Sequence, residues 1–173
     1  VILNVGNIID MKWVEELQPS AVLYAWQGGQ EGGNGVCDVL TGRVNPCGRL
    51  TDTIAECIED YPCTANFGDA KRNYYKEDIY VGYRYFETFA KEKVQYPFGY
   101  GLSYTQFEQK MGDLKVVDGT ISVDVTVTNT GAVAGKDVAE VYYNPPYTNG
   151  GIEKASVNLA GFAKTKVLEP GES

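Results

Sequence analysis

The chain has 173 residues, 43% of them hydrophobic and 12% aromatic, which is enough to bury one large core or two small ones. Its formal net charge of −8 carries no Lys/Arg cluster with it, which argues against nucleic acid and anionic membrane surfaces as partners. No apolar stretch reaches the roughly 18 residues of a membrane span, and the absence of His removes Ser/His/Asp and Cys/His catalysis and His-based metal sites.

The opening VILNVGNIID starts in mid-strand by its pattern, without an initiator Met, so it carries no information on export. Val1 to Val5 are mostly β-branched and apolar with little alternation, as in a strand covered on both faces of a parallel sheet. Gly6-Asn7 ends that strand. Asp10 is placed to cap a helix whose Trp13, Val14 and Leu17 share one face, with Pro19 just beyond its end. A second buried strand is expected over Ala21 to Trp26.

The stretch WQGGQEGGNG, Trp26 to Gly35, follows. Glycine this dense costs chain entropy, so it implies either a backbone that cradles a ligand or a tight turn between packed elements. Asn34 is placed to cap a short helix with Val36, Val39 and Leu40 on its packed face and Gly42 as its stop. Strand, helix, strand, loop, helix is the βαβ rhythm of an α/β domain, although only about two units are present. From Asn45 to about Tyr100 the pattern turns irregular, with turn chemistry in NPCGRL, DYPC and YPFGYG and a Tyr-dense segment, YYKEDIYVGYRYFETF.

Beyond Tyr104 the period becomes two. Ile121, Val123, Val125 and Val127 alternate with Ser122, Asp124, Thr126 and Thr128, which predicts a half-buried strand ending at Asn129-Thr130-Gly131. Val138 to Tyr143 predicts another, stopped by Pro145-Pro146, and Val157 to Val167 at least a third. Antiparallel strands at this spacing suggest a β-sandwich that lacks its last strands.

Carboxylates must carry any acid-base chemistry in a chain without His. Glu31 is the best placed, because loops after parallel strands gather at the sheet edge where ligands bind. The plainer reading is that its carboxylate accepts hydrogen bonds from backbone amides at a helix start. A phosphate cradle is disfavoured: GGQEGG lacks the Lys and Ser/Thr of a P-loop and puts a negative charge where phosphate would sit. Trp26, with Tyr74, Tyr75, Tyr80, Tyr83 and Tyr85, offers flat faces for sugar rings, and each of these residues also has an ordinary packing role open to it. Cys37, Cys47, Cys57 and Cys63 match neither a CxxC pair nor a zinc ribbon; they read as small buried thiols, with a Cys57 to Cys63 disulfide as the alternative. No cofactor and no metal is implied.

The ordered set VILNVGNIIDMKWVEEL, AWQGGQEGGNGVCDVLTGRVNPCGRL, YKEDIYVGYRYFE, YPFGYGLSYTQFE and TVTNTGAVAGKDVAEVYY resembles the C-terminal half of glycoside hydrolase family 3, the β-glucosidase and β-xylosidase type. The resemblance implies an α/β fold followed by an all-β one. Residues 1–103 would be the last part of a three-layer α/β sandwich domain with a mostly parallel sheet. Residues 104–173 would be the start of a fibronectin type III-like β-sandwich. It also implies a TIM-like barrel outside this chain and a β-linked oligosaccharide or glycoside as substrate of the intact enzyme. Such enzymes hydrolyse terminal β-linked sugars with retention, using two carboxylates about 5 Å apart.

In the family the nucleophilic Asp belongs to the barrel, and the acid/base Glu lies upstream of the strand that matches Val1 to Val5. Neither motif occurs here, so no catalytic residue is assigned, and Trp26, Gln30 and Glu31 are expected only to border the substrate. The chain departs from the family pattern at Gly28, often Pro, and at Asp78, where the family has Gly. The alternative from another class is a non-catalytic sugar-binding or structural module.

Overall fold

The computed structural model describes residues 1–173 and divides them into two compact units that exchange segments along the chain. The first unit comprises Val1–Val36, Leu50–Tyr100 and Tyr142–Asn158; the second comprises Cys37–Arg49, Gly101–Val141 and Leu159–Ser173.

In the first unit, β1 (Ile2–Leu3) and β2 (Leu23–Tyr24) pair in parallel, with Ile2 opposite Leu23 and Leu3 opposite Tyr24. The helix between them, α1 (Trp13–Leu17), ends where Gln18 enters the left-handed region at φ 43°, one residue before Pro19. Two details of this βαβ unit differ from expectation. Asp10 does not cap α1: its carboxylate accepts the Lys12 N–H at 2.9 Å, in a turn that precedes the helix. Leu17 and Ile2 are exposed, so neither the helix face nor both faces of the strand are covered within this chain.

The core of the unit lies further along. β3 (Ile54–Ala55) pairs antiparallel with β4 (Val94–Tyr96) across a register shift, and α3 (Tyr83–Phe89) packs Phe86 against Ala55 and Ala90. Tyr61 seals the cluster, edge-on to Phe86 at 5.4 Å, donating its hydroxyl to the Thr53 carbonyl and accepting the Ala55 N–H, each at 2.9 Å. A buried Tyr keeps its polar tip satisfied in this way. Burial raises its phenol above the ordinary range.

In the second unit, β5 (Phe107–Met111) and β8 (Val125–Asn129) form a five-residue antiparallel ladder, from Phe107 opposite Asn129 to Met111 opposite Val125. Between them β6 (Lys115–Val117) and β7 (Thr120–Ser122) make a hairpin about Asp118-Gly119. Both turn residues have positive φ, 48° and 75°, as a two-residue primed turn requires. The single strand expected over Ile121 to Thr128 is therefore two strands with different partners, broken at Val123-Asp124. The tight turn commits Thr120 to Ser122 to its neighbour β6 before the longer ladder begins. β9 (Val138–Tyr143) and β10 (Asn158–Lys164), of which Val138–Val141 and Leu159–Lys164 belong to this unit, form the remaining pair.

Two polar residues knit this unit. Asn129, with 0% exposure, accepts from Thr105 Oγ1 at 2.7 Å and from the Gly131 N–H at 3.1 Å, and donates to the Val133 and Leu168 carbonyls at 2.9 and 2.8 Å. Its side chain thereby uses both amide protons and both lone pairs. Asp137 takes Arg49 on one oxygen and Gln109 on the other.

Candidate functional site

The strand-to-turn passage after β2 carries the first site residue. Trp26 sits at φ 53°, in the left-handed region where a bulky residue is rare. Holding it there costs on the order of 1–3 kcal/mol, and such residues concentrate at functional positions. Its ring lies against Tyr24, centroids 4.6 Å apart, while the Tyr24 hydroxyl donates to the Asn7 carbonyl at 2.5 Å. That arrangement ties the loop after β2 to the end of β1.

The turn then tightens. The Gly32 N–H donates to the Gly29 carbonyl at 2.9 Å, and α2 (Gly32–Leu40) starts immediately, with the Gly35 N–H on the Glu31 carbonyl at 3.0 Å. Asn34 is consequently inside the helix and is not its cap. Its side-chain amide donates to the Glu31 carboxylate. The Glu31 carboxylate thus takes a side-chain amide, where bonds from backbone amides were expected. The glycine run reads as a loop because glycine disfavours helix by about 1 kcal/mol per residue relative to Ala; tertiary position overrides that preference here. The helix stops as predicted, at Gly42 with φ 73°.

The glycines of this turn divide into two kinds. A Cβ on Gly28 would stand 2.8 Å from the Gly32 Cα, so the close backbone approach explains why no side chain is present there. Gly29, Gly32, Gly33 and Gly35 have open space where a Cβ would be, and none has positive φ. Neither packing nor conformation within this chain requires glycine at those four positions. Gln30 and Glu31 are exposed beside them, and no hydrogen bond or ring contact joins either to Trp26.

The Tyr-rich segment separates into packing and surface residues. Tyr83 and Tyr85 are engaged with neighbouring rings, Tyr83 with Phe98 and Tyr142, Tyr85 with Phe86 and Phe89. Tyr80 stacks edge-on to Phe89 and donates its hydroxyl to Glu153 at 2.5 Å; that carboxylate pushes its phenol up to about 12. Tyr74 and Tyr75 behave differently, at 47% and 88% exposed, and with Phe67 at 86% they border a concavity of about 430 Å³. Arg72 and Glu77 also line it, and Arg72 donates to the Tyr74 hydroxyl at 3.3 Å. Aromatic faces beside hydrogen-bonding side chains are the usual composition of a small-ligand surface.

The four cysteines are free thiols: Cys37 is exposed and the other three are half-buried, which corrects the expectation of buried thiols and leaves Cys57 and Cys63 unbridged. Cys57 Sγ donates to Asp60 at 3.0 Å, which raises the thiol above its ordinary range, and Asp60 in turn pairs with Lys93 at 2.9 Å. A raised thiol is a poor nucleophile.

The match of sequence and fold places the chain in a class. It belongs to glycosyl hydrolase family 3, whose C-terminal domain matches residues 1–104. It is 54% identical over 172 residues to a beta-glucosidase of Ruminococcus albus, a match that covers 99% of this chain and 18% of that protein. Among solved structures it is similar to a beta-glucosidase from Paenibacillus barengoltzii, at 52% identity and TM-score 0.91 over 99% of this chain and 19% of that one. It is also similar to beta-glucosidase 3B from Thermotoga neapolitana in complex with glucose, at 45% identity and TM-score 0.85 over 99% and 24%. The chain spans about a fifth of the length of these relatives.

Proposed function

We propose that this chain is the C-terminal portion of a retaining β-glycosidase of the β-glucosidase kind, which hydrolyses terminal O-glycosidic bonds. The observation that carries this reading is 54% identity to a beta-glucosidase across 99% of the chain. In this reading the nucleophilic Asp and the acid/base Glu lie outside these 173 residues, the nucleophile on a TIM-like barrel. Residues 1–103 complete an α/β sandwich domain whose mostly parallel sheet takes its other strands from elsewhere. Residues 104–173 begin a fibronectin type III-like domain.

Trp26, Gln30 and Glu31 then border the substrate without doing covalent chemistry. The strained Trp26 and the four glycines with open space at their Cβ positions support that placement, since a surface left bare at a cost in stability suits a close approach from outside the chain. Hydrolysis of an aryl β-glucoside tests the reading: the full-length enzyme turns it over and the 173-residue chain does not. Turnover by the purified chain above a blank would overturn it.

A non-catalytic sugar-binding module is the second reading, favoured by the concavity beside Phe67, Tyr74 and Tyr75. Titration of the chain with glucose, xylose and cello-oligosaccharides separates the two, because saturable binding without any turnover in the full-length protein belongs to the module alone.

A further inference from the structure

The chain holds two Asn-Gly pairs, Asn34-Gly35 and Asn149-Gly150. This dipeptide is prone to deamidation because glycine has no side chain to shield its backbone nitrogen. That nitrogen attacks the Asn side-chain carbon, forming the ring C–N bond, and the side-chain nitrogen leaves as ammonia with the proton given up by the attacking amide. Water then opens the resulting succinimide at either carbonyl, giving aspartate or isoaspartate. Water is the sole co-reactant.

The fold treats the two pairs differently. In α2 the Gly35 nitrogen is committed to a helical bond with the Glu31 carbonyl at 3.0 Å, and the Asn34 side-chain amide is anchored on the Glu31 carboxylate. Both the attacking and the leaving nitrogen are held. Asn149 lies at the first central position of a turn closed by the Gly151 N–H on the Thr148 carbonyl at 2.8 Å, with Gly150 following at φ 80°. Asn149 is exposed, and neither its side chain nor the Gly150 N–H has a partner. The turn's flanks are fixed by Lys154 Nζ on the Pro146 carbonyl at 2.8 Å and by Tyr80 on Glu153, so nothing screens the turn while its ends stay in place.

We propose that Asn149-Gly150 is a site of spontaneous deamidation in the folded protein and that Asn34-Gly35 is protected by α2. Conversion takes the formal net charge from −8 to −9, and the isoaspartyl product adds a methylene to the backbone of the turn.

Incubating the intact purified protein at mildly alkaline pH, followed by peptide mass mapping and isoaspartyl methyltransferase labelling, tests the proposal. The peptide containing Asn149 is expected to convert about tenfold or more faster than that containing Asn34, because α2 must open locally before the Gly35 nitrogen is free. In denaturant the two rates should converge, and Asn149→Gln should remove the labelled product. An unconverted Asn149, or an Asn34 that keeps pace with it in the native protein, would overturn the proposal.

Discussion

Arg49 and Asp137 form an ion pair of 2.6 Å between side chains that are only 15% and 9% exposed, joining the NPCGRL and GKDVAE stretches within one compact unit. Gln109 Nε2 donates to the second Asp137 oxygen at 2.8 Å, so the carboxylate is compensated on both sides. Gly101 packs so closely here that a Cβ would stand 3.0 Å from Arg49 Nη1.

Removing one partner of this pair leaves a buried charge unmatched. Asp137→Ala and Arg49→Met should each destabilise the protein by about 3–5 kcal/mol, read as a lower urea midpoint. Conversion of both residues together should cost less than the sum, and additive losses would show that the two side chains do not act as a pair.

Asn129 offers a second test of the same unit. Asn129→Ala strands the Thr105 hydroxyl and the Val133 carbonyl, at about 1–3 kcal/mol for each buried group left unpaired, while the Gly131 N–H keeps the Gln106 carbonyl at 3.2 Å and the Leu168 carbonyl keeps the Gly135 N–H at 3.1 Å. Thr105→Val removes one bond and should cost less. Equal losses in the two variants would refute the view that Asn129 is the hub.

Asp78 occupies the first central position of the turn closed by Tyr80 N–H on the Glu77 carbonyl at 2.7 Å, with φ 48°. That position favours glycine. It is also the position where the resemblance to family 3 implies Gly. Asp78→Gly should therefore be neutral to stabilising, by up to about 1 kcal/mol. A clear loss in melting temperature would mean that the Asp side chain holds the turn by some other contact.

The phenol of Tyr80, held up to about 12 by Glu153, is favoured in its protonated form by the fold. The stabilising contribution of the bond should be complete below the ordinary tyrosine range near 10 and be lost as pH rises through the folded value near 12. Difference titration of the phenolate absorbance between the parent and Tyr80→Phe measures it. A missing phenol that titrates near 10 would contradict the bond.

For the glycine turn, on the proposed reading that Glu31 borders the substrate without doing covalent chemistry, Glu31→Gln in a full-length enzyme should leave turnover within about threefold, since the Gln carbonyl can still accept the Asn34 amide. A loss of activity on the scale of a catalytic acid, 10²-fold or more, with unchanged stability would make Glu31 a chemical participant. On the reading proposed above, Gly33→Ala should behave in the opposite way: it should hold or improve stability, because its Cβ meets nothing in this chain, while weakening turnover by the full-length enzyme.

What the residues reveal in advance follows from how far apart their partners lie. The apolar runs that become β1 and β2, the stop at Gly42 and the alternation from Val138 to Tyr143 are set by residue types a few positions apart, and they are legible as local pattern even though the strands' partners lie further along the chain. The primed hairpin carried its signal too, in Asp118-Gly119, but the longer alternation from Ile121 masks it. The start of α2 was illegible because glycine reads as loop, and its helical state depends on bonds from Gly29 and Glu31. Asn129 and Asp137 look like ordinary polar strand-end residues until Leu168 and Arg49 are brought to them across 39 and 88 positions. The same limit applies at the site: Trp26, Gln30 and Glu31 are picked out by their setting, whereas the surface around Phe67, Tyr74 and Tyr75 emerges only once the other tyrosines are seen to be packed.

Because Tyr142–Asn158 clusters with the first hundred residues while Cys37–Arg49 clusters with the later ones, neither unit is one continuous stretch of the polypeptide. A ribosome that has released residue 104 has delivered every β1 to β4 contact yet still withholds Ser156, whose N–H reaches Thr88 Oγ1 at 3.0 Å and whose hydroxyl reaches the Glu87 carbonyl at 2.9 Å on α3. Closure of both units must therefore wait for the tail of the segment to emerge. Gene truncations placed at residue 104 should yield two incompetent pieces, whereas cuts in the 144–152 loop should be tolerated once synthesis is complete.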